Sequence, residues 1–211
     1  NMRIAAEKFS LGKRRIINSS SECKHDMSKI LPLLFQSHSE AVELYNTEIV
    51  QTPVEARNRC LEANLLNSKI MQCVQKHFPN DWILGKYKRF IVRKDGYLIL
   101  FKKLDKKDMP MNIKTKSSIA IENQLQKSLF DDMGDVFEPV VFFGYRKDRF
   151  GNIHSPKLVY IDEGKVRFEI TEKEIVNATI NHDPISFHQS ESASIQIKKN
   201  ARTRLEEAAN E

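Results

Sequence analysis

The apolar positions between Phe137 and Ile170 fall into patterns that only strands can use. Residues 139–145 are apolar on both faces, with Val140 and Phe142 on one side and Val141, Phe143 and Tyr145 on the other. A strand that meets water on neither side reads this way. Turn chemistry follows in Lys147-Asp148-Arg149-Phe150-Gly151-Asn152, then a second apolar run over 157–162, then a tight turn at Asp162-Glu163-Gly164-Lys165. Val166, Phe168 and Ile170 alternate with Arg167 and Glu169, the period of a strand with one wet face. Upstream, 86–104 (KYKRFIVRKDGYLILFKKL) places two β-rich runs around Asp95-Gly96, a strong hairpin signal. The pattern predicts an α+β fold: a five-stranded, mainly antiparallel sheet packed by helices, with helical N- and C-terminal segments.

Helical periodicity fills the rest. Ser37-His38-Ser39-Glu40 has capping-box spacing and predicts a helix over 38–49. Thr52-Pro53-Val54-Glu55 repeats the spacing with Pro at the first helical position, ahead of a helix over 53–77. Val54, Leu61, Leu65, Ile70 and Val74 recur along it, and Pro79 stops it. Within the crossover 105–136 a helix is predicted from Ser117 or Ser118, with Ile121, Leu125 and Leu129 on one face. Thr171-Glu172-Lys173-Glu174 opens a short helix to about 180, a loop follows over 181–189, and 192–209 forms a last, polar helix. Residues 3–17 read as a short helix or strand, Ser19-Ser20-Ser21 as a loop, and 30–35 as an apolar stretch docked on the body. The expected division is an N-terminal helical segment (2–80), a sheet with its crossover helix (81–182) and a C-terminal loop and arm (183–211), together one domain.

The chain has 211 residues, enough to bury a sizeable core, and a net charge of +6, which favours polyanionic partners such as nucleic acid. A charge of that size also serves solubility. Cys23, Cys60 and Cys73 lack CxxC spacing, and reduced thiols in a cytoplasmic protein are expected. No apolar run approaches the length of a membrane span. Asn1 ahead of Met2 reads as an added residue. The basic, Ser-rich stretch after it is faintly like a transit peptide and lacks the apolar region of a secretory signal.

Charge is concentrated in residues 85–116, where eleven Lys and Arg face three Asp, a local excess of eight. Tyr87, Phe90 and Tyr97 are interleaved with them. Lys86, Lys88, Arg89, Lys102, Lys103, Lys114 and Lys116 are the expected nucleic-acid-binding residues, since such a surface follows a phosphate backbone and stacks bases. The competing reading is a Lys-guarded strand edge. The excess of Lys over Arg argues against sequence-specific base reading.

Arg149 and His154 stand at R-x4-H spacing, which resembles the signature of HEPN-type ribonucleases. There Arg stabilises the scissile phosphate and His moves protons. That signature belongs on a helix, whereas here it falls in a Gly-Asn turn. The two residues remain the catalytic candidates if the protein is a nuclease, which would be metal-independent. His182, Asp183 and His188 share a loop that could hold a metal, though without the spacing of an established site. Glu163-Gly164-Lys165 matches the E-x-K of PD-(D/E)xK nucleases, with Asp95 as an upstream acid. The absence of a P-loop, a Rossmann glycine pattern and a G-x-S-x-G argues against nucleotide hydrolysis and α/β-hydrolase chemistry. No metal or cofactor is expected.

The segments KRFIVRKDGYLILFKKLD, MPMNIKTKSSIAIENQLQKSLFDD, VVFFGYRKD and KLVYIDEGKVRFEI, within about 85–170, together resemble small prophage-type proteins of toxin–antitoxin-like loci. The resemblance implies a toxin-like component held silent by a regulator or antitoxin protein. The expected function is therefore binding to, or acting on, nucleic acid, as a toxin-type ribonuclease. The alternative is a non-catalytic protein–protein interaction module, with partner binding or self-association through the C-terminal helix. A small-molecule enzyme using the two-histidine loop ranks last.

Overall fold

Six strands form one mixed sheet in the order of the chain: β1 (Trp82–Gly85), β2 (Arg89–Lys94), β3 (Tyr97–Lys103), β4 (Val140–Lys147), β5 (Ile153–Asp162) and β6 (Lys165–Thr171). Every neighbouring pair is antiparallel except β3–β4, which is parallel. The computed structural model describes residues 16, 17, 19–125 and 138–175. The chain divides into two units, 1–178 and 179–211, and all described residues lie in the first.

The expectation of five strands is corrected to six. β1 was missed because Trp82-Ile83-Leu84-Gly85 is too short to show a period and ends in glycine. The two tight turns are as expected. Asp95 (φ 47°) and Gly96 (φ 79°), like Glu163 (φ 52°) and Gly164 (φ 68°), pair two positive φ values, the backbone twist that suits a two-residue hairpin loop.

Side-chain alternation splits the core between the two faces of the sheet. Phe90, Val92, Tyr97, Ile99, Val141, Phe143, Leu158 and Tyr160 face three helices: α1 (Ser20–Asp26), α2 (Ile30–Ile49) and α3 (Arg59–His77). Ile91, Leu98, Leu100, Val140, Phe142, Val159 and Ile161 face the crossover between the parallel strands, which includes α4 (Lys116–Glu122). Gln124 fastens that crossover to the sheet. Its buried amide donates to the carbonyls of Val140 (2.9 Å) and Ile161 (2.6 Å) and accepts from Val140 N–H (2.8 Å). Leu104 drops onto Gly144, where an added Cβ would stand 2.5 Å from Leu104 Cδ1 and 2.7 Å from Cδ2. That glycine lets the chain leaving β3 fold tightly over β4.

The helix boundaries required three corrections. Ser19 caps α1, accepting from Glu22 N–H, so the serine run opens a helix. The next helix begins at Ile30, with Pro32 in its first turn, and Ser37 lies inside it with its hydroxyl donating back to Leu33 O (2.6 Å). Thr52-Pro53 leads only into a 3-10 turn at Val54–Ala56, with Val54 exposed, and Asn58 caps α3 by accepting from Leu61 N–H. Thr115 caps α4 in a reciprocal box with Ser118. The crossover helix is shorter than expected: α4 ends at Glu122, Gln124 turns the chain away at φ 59°, and Leu125 lies beyond the helix. Leu129, the His182/His188 loop and the 192–209 helix lie outside the described residues, as does the helix expected to about 180 beyond its helical start at 172–175.

His38 on α2 is buried against the sheet, its ring centroid 5.6 Å from those of both Phe143 and Tyr145. Burial pushes its pKa down to about 4, and Nε2 has no hydrogen-bond partner among the described residues. Burial pushes the neighbouring Tyr145 hydroxyl up to about 12. Lys147 Nζ reaches between α2 and α3 to Glu62 (2.7 Å) and Tyr45 (3.3 Å), locking β4 to the helices.

Candidate nucleic-acid interface

Strand directions decide which basic residues meet. The turn between β1 and β2, the C-terminal ends of β3 and β4, and the turn into β5 all lie at one end of the sheet. That end gathers Lys86, Lys88 and Arg89 from the first turn, Lys102 and Lys103 from β3, and Arg149 and His154 from the β4–β5 turn. Three strand spacings separate the two turns, so the strip is about 14 Å long. It covers about four phosphates at the duplex rise.

Acidic partners remove some of the sequence-level charge from consideration. Arg93 pairs with Glu138 (2.6 Å), Lys94 with Asp81 (3.0 Å) and Lys114 with Glu122 (2.6 Å). Arg146 and Lys157 share Asp108, and Lys147 holds Glu62. Lys114 and Lys116 belong to the crossover around α4, where Glu122 holds Lys114. Lys88, Arg89, Lys102 and Lys103 have no ion-pair partner among the described residues. Burial, and then the nearby Arg89 guanidinium, hold the Lys102 ammonium below its ordinary pKa.

Two aromatic side chains at this end, Tyr87 and Phe150, are exposed and accompanied by cations. Tyr87 is 78 % exposed, with Lys86 Nζ 5.5 Å from its ring centroid. Phe150 is 75 % exposed, with the Arg149 guanidinium 4.7 Å away. Tyr87 and Lys88 hold φ values of 59° and 55°, a left-handed pair with no glycine, which projects the tyrosine away from the body. Phe90 and Tyr97, expected among the interleaved aromatics, are buried in the core instead. Phe150 was not anticipated as a contact. A large aromatic in a Gly-Asn turn was the available signal.

A cleft opens within the strip. The β2–β3 register runs through Lys94–Tyr97, Arg93–Leu98 and Val92–Ile99 and stops there. Beyond it Lys88, Arg89 and Phe90 face Leu100, Phe101 and Lys102 across a cavity of about 150 Å³, with Asn67 and Met71 of α3 also lining it. Arg89 Nη1 is buried here without a hydrogen-bond partner among the described residues.

The candidate catalytic pair is less organised. Asp148 builds the β4–β5 turn, accepting from Phe150 N–H (2.8 Å), Asn152 N–H (2.9 Å) and Asn152 Nδ2 (2.8 Å). Those bonds hold its carboxyl below the usual range. His154 is exposed, with Nδ1 2.9 Å from Ser155 Oγ. No contact joins it to Arg149. Asp95 and Glu163 occupy turns at the opposite end of the sheet, also three spacings or about 14 Å apart, too far to share a metal. Glu163 pairs with Arg167. Among the described residues no His, Cys, Asp and Glu group could hold a metal, and no helix is long and apolar enough to cross a membrane. The three cysteines are free thiols.

No family model, curated protein or solved structure matches the chain.

Proposed function

We propose that the protein binds single-stranded nucleic acid along this end of the sheet. The observation that carries the reading is the strip itself: four cations without acidic partners among the described residues, flanked by exposed Tyr87 and Phe150. Cations that track a backbone, combined with aromatic platforms for bases, suit single strands of any sequence. An isolated solubility surface has no use for two exposed rings. The test is fluorescence anisotropy with labelled single-stranded RNA, single-stranded DNA and duplex over a range of salt. Tighter binding of single strands, weakening with salt, supports the proposal, and no binding at 50 mM salt overturns it.

Catalysis is a second reading, favoured by the exposed His154 imidazole at the same end of the sheet. A toxin-type ribonuclease would cleave RNA in EDTA, and His154→Ala would abolish that cleavage. Intact cleavage by the variant removes His154 from the mechanism.

A further inference from the structure

We propose that the cleft between β2 and β3 receives the terminal phosphomonoester of a nucleic-acid strand. This rests on the nucleic-acid reading and names the part of the strand that the site selects. The cavity, about 150 Å³, is the volume of about five waters, enough for a phosphate group and too small for a drug-sized ligand. Its polar side chains all carry donors, namely Lys88, Arg89, Lys102 and the Nδ2 of Asn67, and none is a carboxylate. The Asn67 Nδ2 donates only to the Met71 thioether at 3.6 Å, a weak acceptor that an anionic oxygen readily displaces.

Charge separates a chain end from a chain interior. Arg89 and Lys102 are two half-buried cations that disfavour each other and have no acidic partner among the described residues. An internal phosphodiester brings one negative charge, whereas a phosphomonoester brings about 1.5 to 2 and compensates both. The buried Arg89 Nη1, with no partner, supplies a charge-assisted donor ready for one of its oxygens. Shape agrees with charge. Met71 and Asn67 of α3 line the cleft on the helical side, and its volume of about 150 Å³ suits a chain end better than a continuous strand. Tyr87, two residues from Arg89 in the chain and exposed, then stands where the first base emerges.

The experiment compares ten-nucleotide single strands of one sequence carrying a 5′-phosphate, a 3′-phosphate or only hydroxyl ends, with adenosine monophosphate and inorganic phosphate as competitors. The expected result is at least about tenfold tighter binding of one phosphorylated strand than of the hydroxyl-ended strand, the scale of one added charge-assisted contact. Arg89→Gln and Lys102→Gln should each erase that preference, and thermal melts will confirm that both variants fold. Competition by millimolar inorganic phosphate should also erase it. Equal, salt-dependent binding of all three strands overturns this inference and leaves the single-strand reading intact. A preference that persists in both variants overturns the assignment to this cleft. Adenosine monophosphate binding as tightly as the phosphorylated strand would make the cleft a nucleotide site and overturn the proposal. Failure of every oligonucleotide to bind overturns both readings.

Discussion

His38 gives the fold an acid-sensitive point whose size can be worked out. Burial between α2 and β4 lowers its pKa from 6.5 to about 4, because the imidazolium would have to sit against Phe143 and Tyr145 with no water. The unfolded chain therefore binds the proton first. Stability from the neutral ring is whole above pH 6.5 and is lost as pH falls toward 4. Between pH 7 and pH 5 the loss is about 2 kcal/mol at 25 °C, of a full effect near 3 kcal/mol. Urea unfolding of the natural protein and of His38→Leu at both pH values isolates this contribution, since the other histidines are common to both. The natural protein should lose about 2 kcal/mol more than the variant over that interval. Equal losses would show that His38 is not held neutral by burial.

Three further outcomes follow from particular contacts. Gly144→Ala places a methyl group against the buried Leu104 and should cost about 1–3 kcal/mol, lowering Tm by about 2–4 °C per kcal/mol in a calorimetric scan; an unchanged Tm would mean that the crossover relaxes freely. Arg89→Gln and Lys102→Gln each remove a half-buried charge without an acidic partner, so they should weaken nucleic-acid binding while leaving Tm unchanged or raising it by a few degrees, about 2–4 °C. A marked fall in Tm would instead assign these residues to holding the fold together. Tyr87→Ala and Phe150→Ala should each weaken single-strand binding by about tenfold, the scale of one lost stacking contact, with little effect on duplex binding. An anisotropy titration showing equal effects on both would remove stacking from the account.

The sheet was legible where burial leaves a pattern that local chemistry cannot imitate. Val140, Val141, Phe142 and Phe143 have no polar neighbour among them, and only a central strand uses such a run. Helix starts were harder to place because capping spacing also occurs inside helices. Ser37 and Glu40 match the box, yet the Ser37 hydroxyl bonds back to Leu33 O within α2. The basic segment was visible as composition, but its chemistry depended on tertiary partners. Lys114 is neutralised locally by Glu122, while Arg93 is neutralised by Glu138 from beyond the crossover. Nothing local distinguishes them from Lys102 and Lys103. The convergence of the Lys86–Lys88 turn with the Arg149–Phe150 turn also required the strand order, since more than sixty residues separate them. The parallel β3–β4 pairing is what brings the two ends of positive charge together.

Whether these four cations meet phosphates is read from the salt dependence of binding. With Lys88, Arg89, Lys102 and Lys103 as the contacts, single-strand affinity should fall with a log–log slope of about −2.8, or about fifty-fold between 50 and 200 mM salt. The Lys102→Gln/Lys103→Gln double variant should halve the slope to about −1.4. A slope near zero in the natural protein, or the same slope in the double variant, would contradict the account.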